Sequence, residues 1–151
     1  MKRYKRPESV LVVVYCTDTK RVLMLQRKDD QAFWQSVSGS LEAGETPAQA
    51  AEREVLEELQ LDLAKLPCML KDCHYEVDFE IFAQFRDRYA PNVTHCHEYW
   101  FTLALAEEYP VVLTEHSAYR WVEAETAIKM TKSWNNAQAI EKFVIHQPIE
   151  N

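Results

Sequence analysis

Three glutamates, Glu54, Glu57 and Glu58, follow a glycine-bearing loop in the segment GSLEAGETPAQAAEREVLEELQL, Gly39 to Leu61. On a helix turning about 100° per residue, Glu58 stands about 40° to one side of Glu54 and Glu57 about 60° to the other. The three carboxylates then share an arc at the rim of the packed face. Glu54 and Glu58 are four residues apart with no lysine to relieve them, a repulsive pairing on a helix. Oxygen donors of this kind suit a hard divalent cation such as Mg²⁺. A carboxylate–magnesium platform in turn suits phosphate anhydrides. The competing reading is a solvated acidic face, since glutamate is a good helix former. Two features weigh against it: the like-charge pair, and a loop that holds both glycines of the chain, Gly39 and Gly44, together with Glu45. Glycines concentrate where backbone must adopt positive φ or approach another group closely.

The helix that carries the glutamates has clear local signals. Thr46 is a good N-cap, Pro47 suits the first turn, and Gln49 completes a capping box. Ala48, Ala51, Val55 and Leu59 form its apolar stripe. Before it, the valine-rich run from Ser9 to Cys16 reads as a buried strand. A turn at Thr17–Lys20 and a second strand from Val22 to Arg27 make a hairpin, and Phe33 to Ser38 reads as a third strand. Further strands are expected at Cys68 to Tyr75, Phe79 to Phe85, Tyr99 to Leu105 and Tyr119 to Glu123. A polar connection should run from Arg86 to His97. Ser133 to His146 reads as a second long helix with Ala137, Ile140, Phe143 and Val144 inward. The pattern implies an α/β (α+β) fold, a mixed sheet between helices, and one domain over residues 1–151.

A net charge of −7 argues against a nucleic-acid binder or an anionic-membrane binder, each of which wants a basic surface. The basic start MKRYKR precedes an apolar run of strand length with no cleavage site, and no run approaches a membrane span. A soluble, cytoplasmic protein is the expectation. Cys16, Cys68, Cys73 and Cys96 are scattered and do not have the usual spacing of structural zinc, so reduced thiols are expected. Trp34, Trp100, Trp121 and Trp134 are core candidates, and His116 reads as structural, with an acid–base role as the alternative. Oligomeric state is open.

Gly39, Glu45, Arg53-Glu54, Val55, Glu57-Glu58 and Leu61 match, in order and spacing, the signature of the Nudix hydrolases. Gln60 departs from it, standing where that pattern has a second glycine suited to capping the helix C-terminus. The likeness extends through YKRP (Tyr4–Pro7), VLMLQR (Val22–Arg27), FWQSVSGS (Phe33–Ser40), FEIF (Phe79–Phe82), RYAP (Arg88–Pro91), LTEH (Leu113–His116) and TKSW (Thr131–Trp134). These stretches resemble a bacterial branch of the family that hydrolyses dihydroneopterin triphosphate in folate biosynthesis. The resemblance implies a Nudix-type α/β/α sandwich and a small-molecule triphosphate as substrate. It implies Mg²⁺, with Mn²⁺ as a substitute, held by Glu54, Glu57, Glu58 and Glu115. Arg53 would pair with Glu45 to hold the loop on the helix, and Glu57 or another nearby carboxylate would accept a proton from water. Lys5, Arg27, Ser38 and Ser133 would contact substrate, and Phe79, Glu80, Ile81 and Phe82 would line the ring pocket. A broader nucleoside triphosphate pyrophosphohydrolase, including one that removes oxidised nucleotides, is the alternative activity. A Nudix-fold binding module without catalysis is a third.

Overall fold

Unbroken apolar sequence demands cover on both faces, and the run after Glu8 receives it. The computed structural model describes residues 3–147. Strand β1 (Glu8–Cys16) runs through the middle of a seven-stranded sheet, with Val10 to Cys16 all buried. The other strands are β2 (Val22–Arg27), β3 (Trp34–Gln35), β4 (Val37–Ser40), β5 (Cys68–Glu80), β6 (His95–Leu105) and β7 (His116–Val122). The helices are α1 (Pro47–Leu59), α2 (Ala124–Met130) and α3 (Trp134–Ile140), the last running on into a π-helical turn, Glu141–Ile145.

The sheet is mixed. β1 lies parallel to β6 from Glu8↔His97 to Cys16↔Leu105, and β6 is antiparallel to β5. The other edge of β1 is divided between two strands. β2 meets it at Tyr15↔Val22, while β4 pairs with its first half from Ser9↔Ser40 to Val12↔Val37. β2 in turn carries β3 and β7. Alternation sorts β1 between two layers. Val10, Val12 and Val14 pack with Ala51, Val55 and Leu59 of α1. Leu11, Val13 and Tyr15 pack on the opposite face with Ala127 of α2 and Ala139 and Ile140 of α3. The expected mixed sheet between helices is therefore the architecture found. No helix among the described residues is long and apolar enough to cross a membrane, and all four cysteines are free.

Several elements differ from the sequence expectation, each for a physical reason. The third strand is broken into β3 and β4 at Ser36, whose backbone N–H donates to Asn136 Oδ1 at 2.8 Å. Cys68 to Glu80 is one strand, and Ala83–Arg88 is a 3₁₀ helix. Tyr75, Val77 and Phe79 alternate there with the exposed Glu76, Asp78 and Glu80, so period two continues across the expected break. A bulge between Asp72 and Glu76 puts His74 at φ 52°, and the His74 N–H donates to Asp72 Oδ1 at 2.8 Å. β6 begins at His95 and β7 at His116, both earlier than expected, and α2 was not anticipated, since Glu123 gives it no side-chain cap. Ser133 does cap α3, but Ala139 rather than Ala137 is the buried alanine.

The largest difference lies in α1. Thr46 and Gln49 form the expected capping box, but Ala48 is exposed and Ala50 is buried in its place. The buried positions are Ala50, Ala51, Glu54, Val55, Glu58 and Leu59. Two of the glutamates thus lie within the packed face rather than at its rim.

α1 ends at Gln60, which adopts the left-handed conformation (φ 59°, ψ 31°) and donates its N–H to Leu56 O at 2.9 Å. A side chain there costs about 1–2 kcal/mol relative to glycine. Gln60→Gly is therefore expected to raise the unfolding free energy by about 1 kcal/mol in urea denaturation, with affinity for Mg²⁺ unchanged. A fall in stability would refute this account of the cap.

Candidate active site

Gly39 and α1 are fitted to each other. β4 places Gly39 opposite Val10, on the α1 side of the sheet. A Cβ at Gly39 would overlap the carboxyl group of Glu54, so only glycine lets the helix seat this side chain here. Gly44, at φ 76° with open space around it, instead serves the turn.

Arg53 is the hub of the acidic ridge. Its Nε and Nη2 donate to the two oxygens of Glu45 at 2.7 and 2.8 Å, and Nη2 also donates to Ser40 O at 2.9 Å. Nη1 donates to Glu54 Oε1 at 2.7 Å and to Glu57 Oε2 at 3.2 Å. The Arg53 hydrogen bonds hold the Glu45 carboxyl below the usual carboxylate range. The same guanidinium therefore fastens the loop and supplies positive charge between Glu54 and Glu57.

Glu58 receives no such help. It is 1% exposed, and neither carboxyl oxygen has a hydrogen-bond partner. Its neighbour Glu54, itself a carboxyl, can relieve it only by sharing a proton. Desolvation first, and then Glu54, push the Glu58 pKa well above its ordinary value. Desolvation also raises Glu54, against the pull of Arg53.

His116 stands beside Glu58, with Nδ1 3.7 Å from Oε1, beyond hydrogen-bond range. Burial, then Arg27, lowers the His116 pKa to about 4, so it is neutral and no counter-ion. Arg27 Nη1 donates to Gln35 Oε1 at 3.2 Å, which turns the Gln35 amide nitrogen toward His116 Nε2, also at 3.2 Å. Nε2 is then the acceptor, and the ring proton sits on Nδ1, on the Glu58 side.

A cavity of about 900 Å³ opens from this ridge. Glu58, Glu115 and His116 line one part of it. Of the other residues singled out from the sequence, Lys5, Arg27, Ser38, Phe79, Glu80, Ile81, Phe82 and Ser133 also line it. Glu45, Arg53, Glu54 and Glu57 are not among its lining residues; they are joined to one another on the ridge through Arg53. Glu115 is exposed, and its charge adds to the upward shift of Glu58.

The cations of the cavity are held in place. Arg27 grips Asp29 through Nε and Nη2, both at 2.7 Å, and lies 4.0 Å over the Phe85 ring. Arg88 donates to the same Asp29 at 2.8 Å, and Asp29 is driven down to about 2, first by its bond to Arg27. The Lys5 N–H donates to Arg88 O at 2.9 Å. Lys5 keeps exposed surface as a residue, yet its ammonium is crowded enough for desolvation, then Arg88, to lower its pKa. Along the wall, Ile81 is buried and Phe82 is 41% exposed, edge-on to Phe33 at 5.4 Å. The Glu80 carboxylate is bound to Arg86 at 2.6 Å.

Sequence reasoning passed over several lining groups. Arg88 and Phe85 sit in a segment read as strand end and connection. Trp134, expected in the core, is 52% exposed and faces the cavity. Glu98 is buried in β6 and lines the cavity with Asn135 and Asn136. The available signal was a lone acid in the mostly apolar stretch CHEYWFTLAL, since a buried carboxylate needs a reason.

The donor set fits a hard divalent cation. The carboxylates are oxygen ligands, and both buried Glu58 oxygens lack a partner. Among the described residues no three acidic, histidine or cysteine side chains already converge as a finished cage. Arg53 draws Glu54 and Glu57 toward itself instead.

Comparison with known proteins agrees with this geometry. The NUDIX domain model matches residues 5–143. The chain is 59% identical over 145 residues to the dihydroneopterin triphosphate diphosphatase of Escherichia coli strain K12, covering 96% of this chain and 97% of that one. It is 51% identical over 146 residues to the Haemophilus influenzae protein of the same name, covering 97% and 92%. The solved structure of the E. coli dihydroneopterin triphosphate pyrophosphohydrolase superposes with a TM-score of 0.93, covering 96% of this chain and 99% of that one.

The seat of Glu54 can be tested by a double-mutant cycle. Gly39→Ala should lower the unfolding free energy by about 1–3 kcal/mol through overpacking. Adding Glu54→Ala should recover most of that loss, because it removes the obstructing group. Additive losses in urea denaturation would show that the two positions do not interfere.

Proposed function

The chain belongs to the Nudix hydrolase family, and from that premise we propose that it hydrolyses dihydroneopterin triphosphate to dihydroneopterin monophosphate and pyrophosphate, a step of folate biosynthesis. The observation that carries this reading is the partnerless Glu58 carboxyl, buried beside a cavity that also holds Lys5, Arg27 and Arg88. Acid and base on one wall match a cation bound to a polyphosphate. The relatives of that activity are matched over nearly their full length, which supports the choice of substrate.

In this reading the whole chain acts as one domain in the cytoplasm. Glu54, Glu57, Glu58 and Glu115 would hold Mg²⁺, or Mn²⁺ in its place. When bound there, the metal supplies positive charge to the phosphoryl oxygens and acidifies water. The protein's own groups do the rest. Lys5, Arg27 and Arg88 take the phosphate tail as charge-assisted donors. Ser38 and Ser133 add hydrogen bonds, and Phe79 to Phe82 give the ring an apolar wall. Glu57, half-exposed and bound to Arg53 at 3.2 Å, is the ridge carboxylate open to accept a proton from water. Arg53 and Glu45 keep the ridge and the loop at fixed separation.

Wild-type protein with Mg²⁺ should release pyrophosphate from dihydroneopterin triphosphate with a higher kcat/KM than from dATP. A preference for dATP would favour the broader nucleotide activity. Glu58→Gln should lower turnover by more than about a hundredfold, the scale of losing one group that stabilises transition-state charge. Its apo melting temperature should be no lower than wild type, because glutamine keeps the shape of the carboxyl and removes a group whose ionised form burial opposes. Millimolar Mg²⁺ should raise the melting temperature of the wild type and not of the variant. Near-normal pyrophosphate release by Glu58→Gln would refute the metal assignment.

A further inference from the structure

Glu98 is 3% exposed, lines the cavity, and makes no ion pair with any lysine or arginine among the described residues. Its neighbours are donors. Trp100 Nε1 donates to Glu98 Oε1 at 3.0 Å, and Asn135 Nδ2 donates to the same oxygen at 2.6 Å. Asn135 is itself bonded to Ser133, whose hydroxyl caps α3. Trp100 and Asn135 hold one oxygen, and the Ser9 side chain is a further hydrogen-bond partner of the carboxyl, so its plane is fixed.

This environment narrows the use of the group. A hard cation wants several oxygen ligands, and Glu98 sits among N–H donors instead. A phosphate would be repelled. Its place in the sheet agrees. Glu98 pairs with Ser9 and shares a face with Trp100, which packs with the α2–α3 layer. Gly39 and Glu54 lie on the α1 face. The cavity thus has an end for the polyphosphate and, across the sheet, an end with one buried carboxyl.

We propose that Glu98, held by Trp100 and Asn135, is the residue that selects the ring, receiving the paired N–H donors of a pterin, its 2-amino group and N3–H. The inference rests on the pterin triphosphate reading above. A carboxylate is complementary to two adjacent donors, and a good bidentate pair discriminates by about 1–3 kcal/mol. Adenine presents a ring-nitrogen acceptor beside its amino group, so one of the two contacts becomes repulsive. Burial lifts the Glu98 pKa to about 7, so the carboxylate form that the ring requires is available above neutrality. The ring's two hydrogen bonds would then offset the desolvation that the fold leaves uncompensated.

The test compares wild type with Glu98→Gln at pH 8.5 with saturating Mg²⁺. Glutamine keeps an acceptor for Trp100 and Asn135 but replaces the other oxygen with an NH₂ group. The kcat/KM for dihydroneopterin triphosphate should fall about 10- to 100-fold, mostly through KM, while that for dATP should hold or rise, because the amide NH₂ turns a repulsive contact with the adenine ring nitrogen into a donated hydrogen bond. Equal losses on both substrates would mean a structural role and overturn the proposal, as would no loss on the pterin. A companion measurement needs no variant. Neopterin should inhibit dATP hydrolysis by the wild type at least about tenfold more strongly than its 2-oxo analogue, which has a carbonyl in place of the amino group. Equal inhibition would overturn the proposal even if Glu98→Gln fails to fold. Wild type that releases no pyrophosphate from dihydroneopterin triphosphate would sink the substrate reading and this inference together. An active wild type with an indifferent Glu98→Gln sinks only the role of Glu98.

Discussion

A carboxyl group buried without a donor is expensive, and the site is organised around one. Glu58 is sealed into the packed face of α1 with both oxygens unpartnered. No N–H donor among the described residues reaches it, and the carboxyl beside it, Glu54, can only share a proton with it. His116 is neutral and turned just out of range, and Arg53 spends its donors on Glu45, Glu54 and Glu57. An isolated ionised carboxylate in such a place would shift its pKa and take a proton, which is the direction found. A divalent cation removes the same penalty by another route. The packing of the helix therefore favours a ligand that brings positive charge to Glu58.

That constraint propagates outward. Glu54 can sit deep only because Gly39 has no side chain, and Gly39 is where it is because β4 pairs with β1. β4 exists as a separate strand because Ser36 leaves the ladder for Asn136 of α3. The same α3 residue cluster holds Glu98. Sheet, helix and loop thus share a few contacts that also set the two ends of the cavity, one for charge and one for a ring.

Much of this was legible in the sequence. The Gly39-to-Leu61 segment, the capping box at Thr46 and the two-faced burial of β1 follow from residue type and spacing. What escaped was long-range. No local rule says that Glu58 would be buried, because helical periodicity treats a glutamate as outward-facing. The break at Ser36 depends on a side chain one hundred residues away. Trp134 was read as core because tryptophan is bulky and apolar, yet the start of α3 turns it to the cavity. Phe79 to Phe82 lines the cavity, and the 3₁₀ helix brings Phe85 and Arg88 round to extend that lining.

Asp29 has a kinetic meaning. Its two oxygens are shared between Arg27 and Arg88, so much of the positive field at the cavity mouth is cancelled before any anion arrives. With a net charge of −7 on the chain as well, the mouth exerts little attraction at a distance. Encounter with a polyanion then gains little from long-range steering. The phosphate tail is gripped on contact, by guanidinium planes whose orientation was settled in advance.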